Sequence, residues 1–234
     1  MTAKILVFDT GGTVFDWNTA IVEALDRVVP PQTMPGLDRQ AFAFACRARF
    51  MEVNGAVIRG EQAWMTADQI FAAVITEQCA RFGLTDLVTR GRDGLEQSWR
   101  RMPAWPGARE AISMLRTRYV VVPLTILSWS MAVGSSRRSG INWDSILSCD
   151  MLGVYKPDPR AYARAAEILA CAPREIMMVA AHPSDLRAGI SAGYRSAYVL
   201  PRLQDPGEDY TDTGFAEEFD IVAADFADLA RQLA

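Results

Sequence analysis

Near the start of the chain four apolar residues, Ile5-Leu6-Val7-Phe8, run straight into Asp9, with Gly11 and Gly12 close behind. A strand with no polar position has no face to give to water. It is covered on both sides, as in a parallel sheet flanked by helices. That requirement constrains everything downstream, because parallel neighbours are joined by crossovers, and strands must then be separated by helices. A carboxylate directly after such a strand lies at the carboxyl edge of the sheet, where open α/β sheets bind ligands. The paired glycines let the backbone turn sharply beside it. Taken alone, the same Asp also suits a solvated turn or a helix cap.

The chain after Thr13 meets the requirement in an uneven way. Helical periodicity runs unbroken to about residue 103. Asn18 is placed to cap a helix bearing Ile21, Val22, Leu25 and Val28, which Pro30-Pro31 ends. Asp38 caps a second with Phe42, Phe44, Cys46 and Phe50. Thr66 or Asp68 opens a third with Ile70, Phe71, Val74 and Ile75, and the segment 85–102 reads as a fourth. From Trp105-Pro106-Gly107 onward strands return. Helices are expected over 108–118, 130–140, 159–171, 185–192 and 226–233, and strands over 119–127, 145–149, 176–180, 198–200 and 220–222. Pro123 argues for an edge position or a bulge in its strand. The expected fold class is α/β, a doubly wound parallel sheet, Rossmann-like, built from residues 1–16 and 104–234. A helical cap domain, 17–103, is inserted after the first strand.

Charge and composition narrow the function. With 24 basic and 28 acidic residues the net charge is -4, which gives no electrostatic reason to expect nucleic acid or an anionic membrane as partner. The most apolar later run, 119–127, is far too short to cross a bilayer, and Asp9 arrives before a signal-peptide apolar region could form. Cys46, Cys79, Cys149 and Cys171 have no paired spacing for zinc or thiol redox chemistry and read as buried thiols in a reducing compartment, so a cytoplasmic protein is expected. There is a single histidine, His182, which excludes a site needing two.

Three later segments end strands where a parallel sheet would bring them beside Asp9: Thr125-Ile126-Leu127-Ser128, Tyr155-Lys156-Pro157-Asp158-Pro159, and Val179-Ala180-Ala181-His182-Pro183-Ser184-Asp185. Singly, Ser128 and Asp185 could be helix caps and Lys156 a solvated loop charge. In this order, Asp-x-x-Gly-Thr, strand-Ser, Lys-Pro and strand-loop-Asp, the chain resembles the haloacid dehalogenase superfamily over essentially its whole length. Phe-Asp-x-x-Gly-Thr-x-x-Asp-Trp, Tyr-Lys-Pro-Asp-Pro-x-x-Tyr and Ala-Ala-His-x-x-Asp-Leu-x-Ala are most similar to its type II 2-haloacid dehalogenase branch.

The superfamily's phosphatases need an acidic residue two positions after the nucleophile, and a Gly-Asp pair that helps to hold Mg²⁺. Gly11, and Ala180 with Ala181, stand at those positions here. Halide leaves without a proton or a metal, so neither cofactor nor metal is expected. The resemblance implies a small 2-halocarboxylate substrate, with Asp9 attacking its carbon 2 in an SN2 step and water then opening the aspartyl ester. Lys156 would hold Asp9 ionised. Asp185 would position Lys156 or polarise the water, and Ser128 with the backbone around Thr10 and Gly11 would take the substrate carboxylate. Arg47, with Arg49 as the alternative, would face the halide, and similar proteins are often homodimers. Trp17, Phe50, Trp64 and Trp129 are candidate walls, although such aromatics equally serve as core.

Two departures from the branch bear on specificity. Trp129 follows Ser128 where an Asn is common, and Gly11 stands where many members carry an aromatic ring; the bulk gained at one would offset the bulk lost at the other. His182 could tune Asp185 or the water, or simply cap the strand end. A superfamily hydrolase of another substrate, such as a phosphate ester, and a member that only binds a small carboxylate stay open.

Overall fold

The computed structural model describes residues 3–85, 92–210 and 215–234. Six strands, β1 (Ile5–Phe8), β2 (Val120–Thr125), β3 (Leu147–Ser148), β4 (Ile176–Ala180), β5 (Arg195–Val199) and β6 (Ile221–Ala223), form one sheet in the order β3-β2-β1-β4-β5-β6. Every pairing is parallel. The double covering read from the apolar run is present. Leu6 and Phe8 join Val121, Met177 and Val179 on one face, while Ile5 and Val7 join Val122, Met178 and Ala180 on the other. The direction of winding reverses between β1 and β4, and at such a reversal the loops leaving the two carboxyl ends diverge and open a crevice. Asp9 leaves β1 there, and the segment Ala181–Asp185 leaves β4 opposite it.

Pro123 lies neither at an edge nor in a bulge. It pairs in register with Phe8 in the second strand of the sheet. Val121, two residues earlier, exchanges bonds with Asp144 on the side away from β1, and alternation turns residue 123 to that same side. The ladder to β3 begins only at Leu124, so no strand N–H is missed where proline has none.

Between β1 and the helix α5 (Ala108–Leu115) lie α1 (Trp17–Val28), α2 (Arg39–Ile58), α3 (Ala67–Arg81), α4 (Arg92–Glu96) and a 3₁₀ turn, Ser98–Arg100. Asp38 caps α2, and Thr66 with Gln69 forms a reciprocal capping box on α3. The cap of α1 is Asp16 rather than Asn18. The Asp16 carboxylate accepts from both the backbone N–H and the hydroxyl of Thr19, and Asn18 is already inside the helix. The fourth expected helix, 85–102, is realised among the described residues as α4 and the 3₁₀ turn. Trp99 on that turn stacks on Phe71 at 4.1 Å and meets Phe50 edge-on at 4.8 Å. These aromatics continue into the same apolar cluster as Leu6 and Phe8, which seats α2 over the carboxyl end of the sheet.

Of the remaining helices, α6 (Trp129–Ser139), α8 (Pro159–Ile168), α9 (Pro183–Ser191) and α11 (Phe226–Gln232) answer to expected ones, while the four-residue α7 (Cys149–Leu152) and α10 (Phe215–Glu218) are not among those expected. Gly134 lets α6 press against the 3₁₀ turn, for a Cβ there would lie 2.3 Å from the Arg100 carbonyl oxygen.

Candidate active site

Asp9 is 5% exposed, and its two carboxylate oxygens have different partners. Lys156 donates to Oδ1 at 3.1 Å. Thr13 donates its hydroxyl to Oδ2 at 2.7 Å, and His182 Nδ1 lies 3.0 Å from that same oxygen. The sharp turn through Gly12, at φ 91°, folds Thr13 back under the carboxylate. The N–H of Ala181 donates to the Thr13 hydroxyl at 2.9 Å, so the β1 and β4 loops fix its orientation together. Lys156 reaches Asp185 as well, at 2.5 Å, and the Tyr162 hydroxyl donates to the other oxygen of Asp185.

Burial by itself would push the Asp9 carboxyl up. The Lys156 ammonium, the His182 and Thr13 bonds and the His182 charge reverse this and hold it well below the usual carboxylate range. For Lys156 burial works downward, and the charges of Asp185 and Asp9 overcome it, leaving the amine above its ordinary value. Asp185 is shifted up, by burial and by the Asp9 charge, against the pull of Lys156.

On its other side His182 Nε2 bonds Asp205 Oδ2. Asp205 in turn takes a two-pronged bond from Arg47, Nε to Oδ1 at 2.9 Å and Nη2 to Oδ2 at 3.0 Å. Arg47 comes from α2, is 2% exposed, and has its guanidinium carbon 5.6 Å from the ring centroids of both Trp17 and Trp99. Its Nη1 has no hydrogen-bond partner among the described residues and lies 3.8 Å from where a Cβ on Gly11 would be. Burial would raise Asp205, yet the Arg47 and His182 charges bring it down to about 2. His182 is lowered by burial and raised more strongly by Asp205 and Asp9, to about 10 from 6.5.

That upward shift carries a stability consequence with a definite sign. A proton held more tightly in the folded than in the unfolded chain stabilises fully below the unfolded pKa, and the contribution is lost as pH rises through the folded one. Urea denaturation is therefore expected to show stability falling between pH 6.5 and about 10, with a shallower fall in His182→Asn. Parallel curves for the two proteins would remove the His182 pairing as its source.

A cavity of about 180 Å³ opens on this network, bounded by Asp9, Gly11, Arg47, Lys156, Asp185 and Asp205, with Met51 and Ile126 as apolar wall. Lys156, Asp185, His182, Arg47 and Gly11 thus meet around Asp9. Arg49 does not. It lies on the outer side of α2 in ion pairs with Glu52 and Glu77, its side chain 35% exposed. Ser128 caps α6, accepting from the Met131 N–H, and does not line the cavity. The Thr10 hydroxyl pairs with that of Thr125 at 2.7 Å beneath the site.

Trp129, expected to reshape the pocket, is 54% exposed at the start of α6 and outside the cavity lining. The first residue of a helix capped at its carboxyl-edge end projects sideways, so the steric exchange expected between Trp129 and Gly11 does not occur. Leu127 and Arg47 stand against Gly11 instead, 3.7 and 3.8 Å from where a Cβ on it would be. Nor do the other expected wall residues line the cavity: Trp17 flanks Arg47, Phe50 packs on Trp99, and Trp64 stacks on Tyr155.

Three members of the network are not among the site residues expected from sequence. Thr13 and Tyr162 belong to the motifs that carry the resemblance, and their hydroxyls are the available signal. Asp205 lies in the loop after β5 with no motif around it.

A crevice at the reversal of a doubly wound sheet, with a buried carboxylate after the first strand and helices inserted over it, defines a capped hydrolase of one superfamily. The chain belongs to the haloacid dehalogenase-like hydrolases, whose family model matches residues 3–193. It is 27% identical to (S)-2-haloacid dehalogenase 4A from Burkholderia cepacia over 84% of this chain and 82% of that protein. Among solved structures it superposes on a defluorinating L-2-haloacid dehalogenase with TM-score 0.88 and 30% identity, covering 99% of this chain and 95% of the other. An L-2-haloacid dehalogenase at 27% identity gives TM-score 0.85, with 100% and 99% covered.

Proposed function

We propose that this protein is a metal-independent 2-haloacid dehalogenase that converts a short 2-halocarboxylate into the 2-hydroxy acid and halide through an ester on Asp9. Residues 1–16 and 104–234 serve as the catalytic core, and residues 17–103 as the cap that carries Arg47. One observation bears most of the weight: Asp9 is buried and held ionised at a cavity where Gly11, two residues on, presents no acid to a leaving group. An alkoxide departing from a phosphate ester needs that proton, whereas a halide ion does not. The dehalogenase activities of the relatives point the same way.

The first step is displacement at carbon 2, with Asp9 forming the new C–O bond as halide departs with the C–X electron pair. Lys156 keeps Asp9 ionised in a site where an unpaired carboxylate would take up a proton. The unpartnered Nη1 of Arg47 offers the departing anion a buried donor in the cavity that Arg47 and Gly11 both line. The backbone at Thr10 and Gly11 takes the substrate carboxylate. The cavity volume lies well below the roughly 300–1,000 Å³ of drug-sized sites, which favours two- and three-carbon acids. Buried thiols at Cys46 and Cys149 suit a reducing cytoplasm.

The test is halide release from chloro-, bromo- and fluoroacetate and from both enantiomers of 2-chloropropionate, each with and without chelator. Release from at least one acid, unchanged by chelator, is the expected result. Magnesium-dependent phosphate release from esters, with no halide from any acid, would overturn the reading.

A further inference from the structure

Resting on that reading, we infer that His182 is a catalytic residue of the second half-reaction, donating from Nδ1 to the oxyanion that forms on Asp9 Oδ2 when water opens the ester, and that Asp205 holds it in this role. Two features of the geometry carry the assignment. The first is the division of labour between the Asp9 oxygens. Oδ1 has Lys156 as its partner, whereas Oδ2 is already met by Thr13 and His182. The less encumbered Oδ1 makes the bond to carbon 2, and Oδ2 becomes the carbonyl oxygen of the ester. Its two donors then stand where negative charge develops as that carbonyl is attacked, which is the arrangement of an oxyanion hole.

The second feature is the double engagement of the imidazole. Both ring nitrogens face carboxylate oxygens, Nδ1 that of Asp9 and Nε2 that of Asp205. An ionised carboxylate only accepts, so the ring satisfies both contacts when it carries a proton on each nitrogen. The upward shift of its pKa agrees with this. A ring without a free lone pair is a donor and not a base, which assigns the water's proton to another group. Asp185 lines the same cavity and is shifted upward, in the direction a proton acceptor needs.

In the balanced step a water oxygen bonds to Asp9 Cγ, one of its protons passes to Asp185, and the carbonyl electron pair moves onto Oδ2 under Thr13 and His182. When that pair returns, the Cγ–Oδ1 bond breaks. Oδ1 leaves with the 2-hydroxy acid and takes the proton from Asp185, while the second water proton leaves the regenerated Asp9 carboxyl for solvent.

Asp205 acts through its neighbours and is a positioning residue. Its Oδ2 keeps His182 charged after Asp9 has lost its own charge to the ester, when the other attraction on the ring disappears. Its bonds to Nε and Nη2 of Arg47 leave Nη1 as the guanidinium's unpartnered nitrogen. One loop side chain thus sets a donor for each half-reaction, on opposite sides of Asp9.

The experiment compares wild type with His182→Asn and Asp205→Asn by rapid-quench halide release and intact-protein mass, using chloroacetate as probe. In His182→Asn the first turnover is expected to release halide stoichiometrically in a burst. Steady-state kcat should then fall on the order of 10²–10³-fold, with a carboxymethyl adduct accumulating on Asp9. Asp205→Asn should accumulate the same adduct, with its burst also slowed because Arg47 is released. A burst in His182→Asn slowed as much as kcat, with no adduct, or a kcat unchanged in that variant, overturns the assignment. If the variants do not fold, the wild-type pH profile decides. Ester hydrolysis in single turnover should fall at alkaline pH while the burst does not, and a parallel fall of both refutes the role. Absence of halide release by wild type would instead remove the parent reading.

Discussion

Asp9→Asn is expected to abolish halide release, with kcat at least about 10⁴-fold lower on every 2-haloacid that wild type accepts. An amide oxygen carries no full charge with which to displace halide, and the other carboxylates lining the cavity are engaged, Asp185 by Lys156 and Tyr162, Asp205 by Arg47 and His182, and Glu208 by Ser184. Lys156 is committed as a cation between two carboxylates, and His182 has both ring nitrogens engaged. The fold should survive the change because each cation keeps its second acceptor, Asp185 for Lys156 and Asp205 for His182. Far-ultraviolet circular dichroism and the melting temperature check that point alongside halide release. Turnover within tenfold of wild type would place the nucleophile elsewhere.

The position of Asp9 is legible in the sequence because it depends on local pattern. Four apolar residues ending at a carboxylate and two glycines read as a doubly covered strand, and the next residue along the chain stands at the ligand edge. The run Ile176–Ala180 is recoverable for the same reason, and so are the caps Asp38 and Thr66, whose side chains act on N–H groups three residues away. Two expectations fail from one common cause. Pro123 reads as an edge residue until one knows that β3 is two residues long and starts past it. Trp129 reads as a pocket wall because its neighbour in sequence ends a strand, yet the first turn of α6 turns it outward. In each case an element distant in sequence, or the exit angle of a helix, decides the outcome.

Asp205 shows the limit most clearly. It sits 158 positions from Arg47 and 23 from His182, in a loop whose composition resembles any other surface loop. Its side chain is nevertheless 4% exposed and held at both ends by cations. Only the closed geometry of the sheet and α2 makes a site there. A lone histidine could be read as a ligand, a base or a strand cap from sequence. The acceptor on its far side selects among these, and that acceptor carries no signal of its own.

Lys156→Met is expected to cost both activity and stability, and the two losses should separate with pH. Removing the ammonium leaves Asp9 and Asp185 buried without the cation they shared, and breaking one partner of a buried ion pair costs about 3–5 kcal/mol. The carboxylates can relieve this by taking up a proton. In the variant their folded pKa values therefore lie above the unfolded ones, the reverse of the present direction for Asp9. Stability that depends on a raised pKa is present at low pH and lost as pH rises, so the variant's deficit in urea denaturation should be largest near pH 8 and shrink toward pH 5. Activity cannot be rescued along that path, because the proton that restores the fold neutralises the nucleophile. Halide release should stay on the order of 10³-fold below wild type across the range. A deficit independent of pH would mean that Lys156 stabilises the fold by packing alone, and near-normal halide release would mean that Asp9 stays ionised without it.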